Sequence, residues 1–457
     1  MSSRRASRRA FLLNTAALAS AGLLAACVPA ISAPAGEGPT AAATAPEVAP
    51  SGPKKLVYWH GGGAPEHVEV TKQQIDLYTA KHPEVEIETV PGANNVKLIA
   101  ALASGAPPDV AWPWGTPASG SWAANGLLTE LDPLIEKTGF DKDNILPALL
   151  DCNMLDGKIW SLPWTVDVRM IAYNKRVLAE GGFENAPEAW EEMLQYSVQL
   201  TKTDDAGMIT QLGFRPSVSW AMAFTFGAEL MNAERTEVTP ESEGFKDCLN
   251  WALEFYSKIP IEQITLAASG WGGWSTSEDP LVKGQLVMRQ DGEYLLGYVE
   301  RNAPEVLQEI GVAPFPYPGG KPQLEGTSET VAASLYIPKG VKDLDLSWSF
   351  VEHLMTDECT LLWCYLFPCL SQNKSSAGDE KLRSMGAGMM GWLIDYSQGP
   401  NIRTFPNSPV TSEYQDSLGE QIDLVIHGQK TVDEGLAAVK KAVQPRLDVF
   451  VARKQVQ

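Results

Sequence analysis

From residue 54 to residue 112, segments with the hydrophobic pattern of a strand alternate with segments whose apolar residues recur at helical spacing. Residues 54–59 and 109–112 are short apolar runs of β type, and residues 85–90 alternate strictly between apolar and polar side chains. Residues 66–81 and 96–104, which lie between these runs, repeat apolar side chains at helical spacing. A strand–helix–strand–helix–strand order is typical of a parallel sheet covered by helices, so the pattern predicts an α/β fold.

Aromatic residues stand where the predicted strands of this sheet end. Trp59 ends the first strand and His60 begins the loop after it, while Trp112 ends the third strand and Trp114 follows in the next loop. Open α/β sheets bind their ligands at the loops beyond the carboxyl ends of the strands. We therefore expect these four residues to lie on one rim of a binding cleft.

A second β-rich stretch follows the turn signal Asp156-Gly157. The pattern predicts a strand over residues 159–162 that ends at Pro163, and then a strand over residues 166–173. The residues of this stretch that could reach a ligand are Trp164, Asp167 and Arg169. Polar groups beside a tryptophan and a proline suit a segment that crosses a cleft, and an ordinary buried hairpin is the alternative.

The second half of the chain predicts further helices with short strands between them. Helices are predicted for residues 122–131, 188–201, 244–257, 346–355, 359–367 and 431–449. Strands are predicted for residues 285–288 and 331–337. We find no internal repeat, so the chain of 457 residues is expected to form two lobes of different sequence.

The N-terminus reads as an export signal, predicted for residues 1–26. Arg8 and Arg9 precede an apolar segment that is too short and too rich in small residues to be a stable membrane span. The paired arginines resemble the twin-arginine signal, but Leu13 stands in place of the usual lysine, so the general secretory route stays open. A buried hydrophobic N-terminal helix is the alternative.

Cys27 follows Leu-Ala-Ala, a sequence that resembles a bacterial lipobox, and we predict that it is lipidated. Residues 27–53 are mostly Ala, Pro, Gly, Ser and Thr and are predicted to be a flexible tether. The mature protein is thus expected to be exported and lipid-anchored, either at the outer face of the cytoplasmic membrane or in the periplasm.

Charge and composition exclude several kinds of function. The net charge of -20 argues against nucleic acid as a partner, because binding it needs a clustered positive surface. There is no phosphate-binding loop, no nucleophile elbow and no zinc-binding spacing, so neither a cofactor nor a metal is expected. Five cysteines follow Cys27, and their spacing leaves buried thiols and one or two disulfides equally open: Cys152, Cys248, Cys359, Cys364 and Cys369.

A series of short motifs, in order through most of the mature chain, resembles the family-one extracellular solute-binding proteins, the sugar-binding components of bacterial ABC importers. These motifs are His82-Pro83-Glu84-Val85, residues 102–110, Asn125-Gly126-Leu127-Leu128, Asp156-Gly157-Lys158, Leu162-Pro163, residues 172–175, Ala189-Trp190-Glu191-Glu192, residues 283–288 and residues 314–316. Each motif is weak by itself, and their order and spacing carry the resemblance. Departures from the family pattern at residues 177–178 and 186–188 do not touch ligand chemistry.

The resemblance implies an α/β fold of the two-lobe periplasmic-binding-protein type II, in which each lobe is a sheet flanked by helices and hinge segments cross between the lobes. The predicted boundaries are residues 54–170 and 327–370 for lobe 1 and residues 171–326 and 371–457 for lobe 2. The resemblance also implies a monomer that performs no catalysis, closes on a sugar or oligosaccharide and delivers it to ABC permease subunits, while a separate subunit hydrolyses ATP.

Flat apolar faces and a polar edge are what a sugar site requires, since a pyranose has C–H faces and a rim of hydroxyls. The resemblance assigns sugar stacking to Tyr294, which follows Gly292 by two residues. The predicted aromatic ligand residues, placed in loops, are Trp59, Trp112, Trp114, Trp164, Trp271, Trp274, Tyr294 and Trp392. The predicted polar ligand residues are His60, Asp167, Arg169, Asp291, Glu329 and Arg403.

Three alternatives remain open from the sequence. Each tryptophan could instead pack in the core. The ligand could be a polyamine, a peptide or another solute that is not a sugar. The chain could be a secreted carbohydrate-active enzyme that uses Asp167 with Glu293 or Glu329, although no catalytic motif supports this.

Overall fold

The computed structural model describes residues 52–115, 118–274 and 276–454. The predicted export signal, the lipidation candidate Cys27 and all but the last two residues of the predicted tether lie outside the described residues. Within the described ranges, no helix is both long enough and apolar enough to cross a bilayer.

Strands and helices are numbered here in chain order. The strands are β1 Lys54–His60, β2 Val85–Pro91, β3 Val110–Trp112, β4 Met154–Leu155, β5 Lys158–Ile159, β6 Leu162–Asn174, β7 Lys202–Thr203, β8 Ile209–Arg215, β9 Leu286–Gly292, β10 Ile310–Ala313, β11 Ser328–Leu335 and β12 Ile402–Arg403. The helices are α1 Pro65–Lys81, α2 Asn95–Ser104, α3 Ser119–Ala124, α4 Asp132–Thr138, α5 Pro147–Asp151, α6 Lys175–Glu180, α7 Trp190–Leu200, α8 Trp220–Thr225, α9 Glu243–Lys258, α10 Ile261–Ala268, α11 Tyr294–Asn302, α12 Leu344–Leu354, α13 Asp357–Leu366, α14 Glu380–Ser384, α15 Met389–Ser397, α16 Thr411–Ile426 and α17 Val432–Lys454.

The first sheet confirms the parallel arrangement that the hydrophobic pattern predicted. Its order is β2-β1-β3, and both pairings are parallel. Helix α2 begins after Asn94, whose side chain accepts a hydrogen bond from the Lys97 amide at 2.9 Å. It ends at Gly105, where φ is +73°, a conformation that glycine adopts at no steric cost.

Strand β6 is the centre of a larger sheet. The order is β12-β11-β6-β9-β8-β7, and β10 also pairs with β6. Its pairings with β9, β10 and β11 are antiparallel, and Arg169 lies opposite Gly292 of β9 while Asp167 lies opposite Val331 of β11. The 13 residues of β6, which include the predicted crossing segment, are thus paired with neighbouring strands along most of their length.

Two large hydrophobic clusters fill the described chain, and both include residues of β6. The first core packs β1 and β3 with α12 and α13 and contains Val166, Val168 and Met170. The second core packs α7, α9 and α16 around β8 and β9 and contains Ile171. Successive side chains of β6 point to opposite faces of the sheet, so this one strand contributes residues to both cores.

Pro163 does not end a strand, which corrects one prediction. β6 runs through Pro163, and the irregularity lies at Thr165, which has φ of +47°, and at a register shift on the partner strand between Ala332 and Ala333. Proline is tolerated near the start of a strand because its missing amide is lost from only one ladder position. The chain bends after the proline rather than stopping there.

The helix predicted for residues 122–131 is also wrong in extent. Helix α3 ends at Ala124, because Gly126 has φ of +69° and the chain then turns toward Leu128, which bridges to Pro338. Residues 127 and 128 keep the helical spacing of apolar side chains, but they lie outside the helix, which is why the prediction ran too far.

Asn407 connects segments that pack against different cores. Its Oδ1 accepts a hydrogen bond from the Gly120 amide at 2.8 Å, and its Nδ2 donates to the Met154 carbonyl at 2.7 Å. Asn407 follows Phe405 of the second core, whereas Met154 packs against the first. One side chain amide thus bridges the two halves of the folded unit.

Replacement of Asn174 by alanine is expected to lower the free energy of unfolding by about 2–3 kcal/mol. Asn174 is buried, caps α6 by accepting from the Val177 amide at 3.1 Å, and donates to the Leu281 carbonyl at 3.1 Å. Asn94→Ala is the matched control, since Asn94 is an exposed cap and should cost about 1 kcal/mol. Urea denaturation measures both, and equal losses would contradict the dual role of Asn174.

Candidate ligand-binding site

An aromatic chain runs from the rim of the first sheet to the central sheet. Trp114 contacts Trp112, and Trp112 contacts Trp363 of α13, each pair with ring centroids 5.2 Å apart. Trp363 lies 6.3 Å from Phe367, which stacks against Tyr294 at 6.1 Å with an angle of 21° between the rings. The two predicted parts of the site are therefore connected by packed rings.

Gly61 and Gly292 allow rings of this chain to approach the backbone closely. A Cβ atom on Gly61 would lie 2.8 Å from Trp112 and 2.9 Å from Trp114. A Cβ atom on Gly292 would lie 2.4 Å from the Tyr294 ring. Any side chain at either position would displace an aromatic residue of the candidate site.

A polar cluster, consisting of Asp167, Arg169, Glu293, Tyr294 and Glu329, lies where β6 meets its two neighbours. Arg169 forms an ion pair with Asp167 at 3.7 Å and donates a hydrogen bond to the Tyr294 hydroxyl at 3.1 Å. Glu329 on β11 lies on the same sheet face, because it is two residues from Val331, which is opposite Asp167.

Glu293 and Trp220 belong to this site, and the sequence did not select either as a ligand residue. Trp220 donates its indole N–H to Glu329 at 2.6 Å. Glu293 is fully buried, accepts from the Val168 amide at 2.9 Å, and its second carboxyl oxygen has no other hydrogen-bond partner. Glu293 could have been found from its place between Gly292 and Tyr294, whereas Trp220 carries no local signal.

Burial raises the pKa of each carboxyl group of the polar cluster. Desolvation is the main cause for Asp167, Glu293 and Glu329, and Arg169 partly offsets it for Asp167 and Glu329. For Glu293 the pKa lies well above its ordinary value, and the nearby carboxylate of Asp167 adds to the effect. The two carboxyl groups are close enough that a negative charge on Asp167 favours the protonated form of Glu293.

Asp291 and Trp274 form a separate cluster around Arg289. The Arg289 guanidinium donates to Asp291 at 2.5 Å and to Asp279 at 2.6 Å, and it lies 3.7 Å from the centre of the Trp274 ring. Asp291 lies opposite Met170, on the sheet face away from Asp167 and Arg169. The Asp291 carboxylate is thus bound to Arg289, although its negative charge also raises the pKa of Asp167 and of Tyr294 in the polar cluster. The Trp274 ring packs on Arg289 and is not part of the polar cluster.

Trp59 lies in β1 and Trp112 in β3, as the strand predictions for residues 54–59 and 109–112 require. Trp164 lies in β6 and Trp392 in α15, which corrects their prediction in loops. Trp112 and Trp164 are buried because their strands are covered on both faces. Trp392 stacks on Tyr396 with centroids 4.9 Å apart and is exposed beyond that contact.

The other predicted residues occupy different surroundings. Trp114 is 39% exposed at the rim, and His60 beside it is buried. Burial lowers the pKa of His60 to about 4, so this imidazole is neutral near pH 7. Trp271 packs partly against the second core. Exposed Arg403 lies in β12 opposite Glu329 of β11, and its guanidinium donates to nearby carbonyls, including that of Pro400 at 3.0 Å.

Glu293 and Glu329 of the polar cluster are buried, whereas the side chains of Asp167 and Arg169 are 23% and 24% exposed. The cavity beside Glu329 has a volume of about 20 Å³, which is too small for a sugar ring, since ligand pockets usually span roughly 300–1,000 Å³. A cavity of about 680 Å³ lies elsewhere, between Leu155, Arg235 and Phe450, and holds none of the predicted ligand residues. No group of three or more metal-ligating side chains is present among the described residues.

The free energy of unfolding is expected to fall as pH rises from about 4.5 toward neutrality, in part because of Glu293. Its folded-state pKa exceeds the unfolded value, so its stabilising contribution is complete below the unfolded pKa and is lost as pH rises through the folded pKa. Each unit of difference corresponds to about 1.4 kcal/mol.

Glu293→Gln should therefore raise stability near pH 7 and flatten the pH profile, because a neutral amide can still accept from Val168 and places no second negative charge beside Asp167. Urea unfolding between about pH 4.5 and about pH 8 measures this. Glu254→Gln changes an exposed glutamate of α9 and serves as the control, with an effect within about 0.5 kcal/mol. Parallel profiles for the wild type and Glu293→Gln would refute the assignment.

Comparison with solved structures establishes the fold class. CpMnBP1 with mannotriose bound aligns with a TM-score of 0.74 and 22% identity over 85% of this chain and 100% of that chain. Maltose-bound MalE3 of T. maritima aligns with a TM-score of 0.69 and 18% identity over 85% of this chain and 99% of that chain. At these identities the likeness concerns the fold, and it confirms the predicted α/β fold with two lobes.

Relatives are also found by sequence. The diacetylchitobiose binding protein DasA of Streptomyces coelicolor is 29% identical over 124 residues, 27% of each chain. The erythritol/L-threitol-binding protein of Mycolicibacterium smegmatis is 24% identical over 268 residues, 52% of this chain and 53% of the relative. The matched segment spans at most about half the length of these curated relatives.

A sequence model described as bacterial extracellular solute-binding protein matches residues 64–358, which is more than half of the chain and includes β6, α11 and β11. The predicted family resemblance is thereby confirmed: the chain belongs to the family of bacterial extracellular solute-binding proteins.

Proposed function

We propose that the chain is a receptor that captures a sugar or oligosaccharide between its two lobes and delivers it to an ABC permease. The observation that carries this is the polar cluster on β6, where a guanidinium, three carboxyl groups and the ring of Tyr294 converge at the centre of the fold. Family membership and the names of the relatives, which include sugar- and polyol-binding proteins, support the same substrate class.

The chemistry of the cluster suits a neutral polyhydroxylated ligand. Carboxylates accept hydrogen bonds from hydroxyls, and Arg169 donates them, so a ring of hydroxyls can be satisfied from both sides. Tyr294 offers an aromatic face to C–H groups, and it lies at the first position of α11 beside the strand. A ligand hydroxyl that is left without a partner in such a site costs roughly 1–3 kcal/mol, which gives selectivity among sugars.

Entry of a ligand requires the lobes to separate. The cavity beside Glu329 holds no more than a water molecule in this structure, and the residues around it come from β11, the segment after β12 and α16, together with Cys152. Hinge closure around ligands is known for binding proteins with two lobes. We propose hinges near residues 166–172, 327–332 and 368–373, with lobe boundaries at residues 170, 326 and 370.

Export and anchoring complete the proposal. The signal over residues 1–26 would direct export, a lipid on Cys27 would hold the protein at the membrane, and residues 27–53 would let the folded unit reach the permease. The protein would act as a monomer and leave ATP hydrolysis to another subunit.

Two rivals make different demands on the polar cluster. A polyamine would be favoured by the carboxyls of Asp167, Glu293 and Glu329, but Arg169 places a positive charge among them. A glycosidase needs two carboxyl groups about 5–10 Å apart across the scissile bond. Glu293 cannot reach a glycosidic oxygen here, since it is fully buried beneath β6. A sugar receptor is therefore the better interpretation.

A thermal-shift screen of the full chain is expected to give stabilisation with one class of saccharide. Binding to the folded state adds about 2.7 kcal/mol at a ligand concentration a hundred times the dissociation constant. Polyamines, peptides and amino acids are the comparison set, and a shift with these alone would overturn the sugar assignment. Release of reducing sugar from the stabilising saccharide tests the enzyme alternative, and we expect none.

Tyr294→Ala is expected to weaken binding of the stabilising saccharide at least tenfold, because it removes the stacking face and the partner of Arg169. Tyr294→Phe keeps the ring and should lose less. Tyr196→Ala is the matched control, since Tyr196 is a tyrosine stacked on Phe183 at 3.7 Å outside the candidate site. Isothermal titration measures the affinities, and unchanged binding by a folded Tyr294→Ala protein would refute the role of Tyr294.

A further inference from the structure

Two cysteines lie in contact beside the candidate site. Cys364 is in the last turn of α13, and Cys369 follows the helix after Phe367 and Pro368. Their sulfur atoms are 3.5 Å apart, and both side chains are buried. A disulfide bond has a sulfur–sulfur distance of about 2.05 Å, so the gap to be closed is about 1.5 Å.

The other described cysteines are engaged differently. Cys359 Sγ lies 3.2 Å from the imidazole of His353, and Cys152 Sγ lies 3.1 Å from the Leu149 carbonyl. Cys248 packs in the second core. Among the described residues, Cys364 and Cys369 are thus the two thiols that the fold brings together.

The segment between the two thiols bears on the candidate site. Phe367 stacks on Tyr294 at 6.1 Å, and Leu370 pairs with Val166 of β6 through backbone hydrogen bonds of 2.9 and 3.2 Å. The ring of Phe367 is therefore held between a helix end and the central strand. A covalent bond across this turn would limit how far Phe367 can move from Tyr294.

We propose that Cys364 and Cys369 form an intramolecular disulfide in the exported protein. The two thiols together lose two protons and two electrons, and the oxidant is a disulfide, either glutathione disulfide or a thiol–disulfide oxidoreductase. One protein thiolate attacks the oxidant disulfide and releases its first thiolate. The second protein thiolate then attacks the mixed disulfide, forms the Cys364–Cys369 bond and releases the second thiolate. The proposal does not depend on which ligand the receptor binds.

The bond has to form before the segment is packed. Burial raises the pKa of the Cys369 thiol well above its ordinary value, and the contact with Cys364 adds to this, so the thiolate that exchange requires is scarce in the folded state. An unfolded or partly folded chain exposes both thiols to the oxidant. Disulfides are typical of exported proteins because the compartments outside the cytosol are oxidising.

Counting of free thiols tests the proposal on the full chain, made without lipidation. The reduced chain is unfolded, refolded in a mixture of reduced and oxidised glutathione, unfolded again and labelled with N-ethylmaleimide. Of the six cysteines in the sequence, we expect four to be labelled, against six in a sample kept reduced throughout. Proteolysis with mass spectrometry should show one peptide linkage, between Cys364 and Cys369, that is lost on reduction.

Single variants locate the bond. Cys364→Ser and Cys369→Ser should each leave all five remaining thiols labelled, whereas Cys248→Ser should still protect two. The midpoint of thermal unfolding should be higher for the oxidised wild type than for the reduced wild type, and the redox state should not change it in Cys364→Ser. Six labels in the oxidised wild type, or a linkage that maps to another pair, would overturn the proposal. The peptide map of the wild type decides the matter even if a variant fails to fold.

Discussion

The structure depends on one strand that serves two hydrophobic cores while carrying charged side chains between them. β6 supplies Val166, Val168 and Met170 to the first core and Ile171 to the second. Asp167 and Arg169 alternate with these apolar residues, so they must lie in the seam where the cores meet. Any ligand that reaches this seam is held by groups whose backbone is fixed by strands on both sides.

Placing charges in such a seam costs solvation, and the surrounding residues reduce that cost without removing it. The ion pair of Asp167 with Arg169, the indole N–H that Trp220 gives to Glu329 and the Val168 amide that faces Glu293 each compensate part of it. The raised pKa values of the carboxyl groups show what remains uncompensated. A polyhydroxylated ligand would supply the missing hydrogen bonds, which gives binding a driving force beyond contact with aromatic rings.

Much of this arrangement could be predicted from the sequence, and the failures have physical causes. The parallel first sheet followed from the alternation of strand and helix periods along the sequence. Asp167 and Arg169 were selected because polar residues interrupt an apolar run, and Tyr294 because the family resemblance assigns stacking to its position. The prediction that a strand ends at Pro163 was wrong because proline disrupts strand pairing only where its amide would have donated a backbone hydrogen bond.

The burial of Trp112 and Trp164 could not be predicted, since coverage of a strand on both faces depends on distant segments such as α13. Trp220 was missed as a site residue for a similar reason: its contact to Glu329 joins residues 109 positions apart. The raised pKa of Glu293 could not be predicted either, because its burial and its closeness to Asp167 result from the pairing of β6 with β9.

The two hydrogen bonds of Asn407 bear on the equilibrium between the open and closed forms that the proposed lobe closure requires. Its side-chain amide accepts a hydrogen bond from the Gly120 amide and donates one to the Met154 carbonyl. If these two hydrogen bonds break, water can replace both, and the net loss is only about 1 kcal/mol for each. In the lobe closure proposed above, these two bonds would fix the geometry of the closed state at little cost to opening, so that a modest difference in ligand affinity between the two states would decide which one prevails.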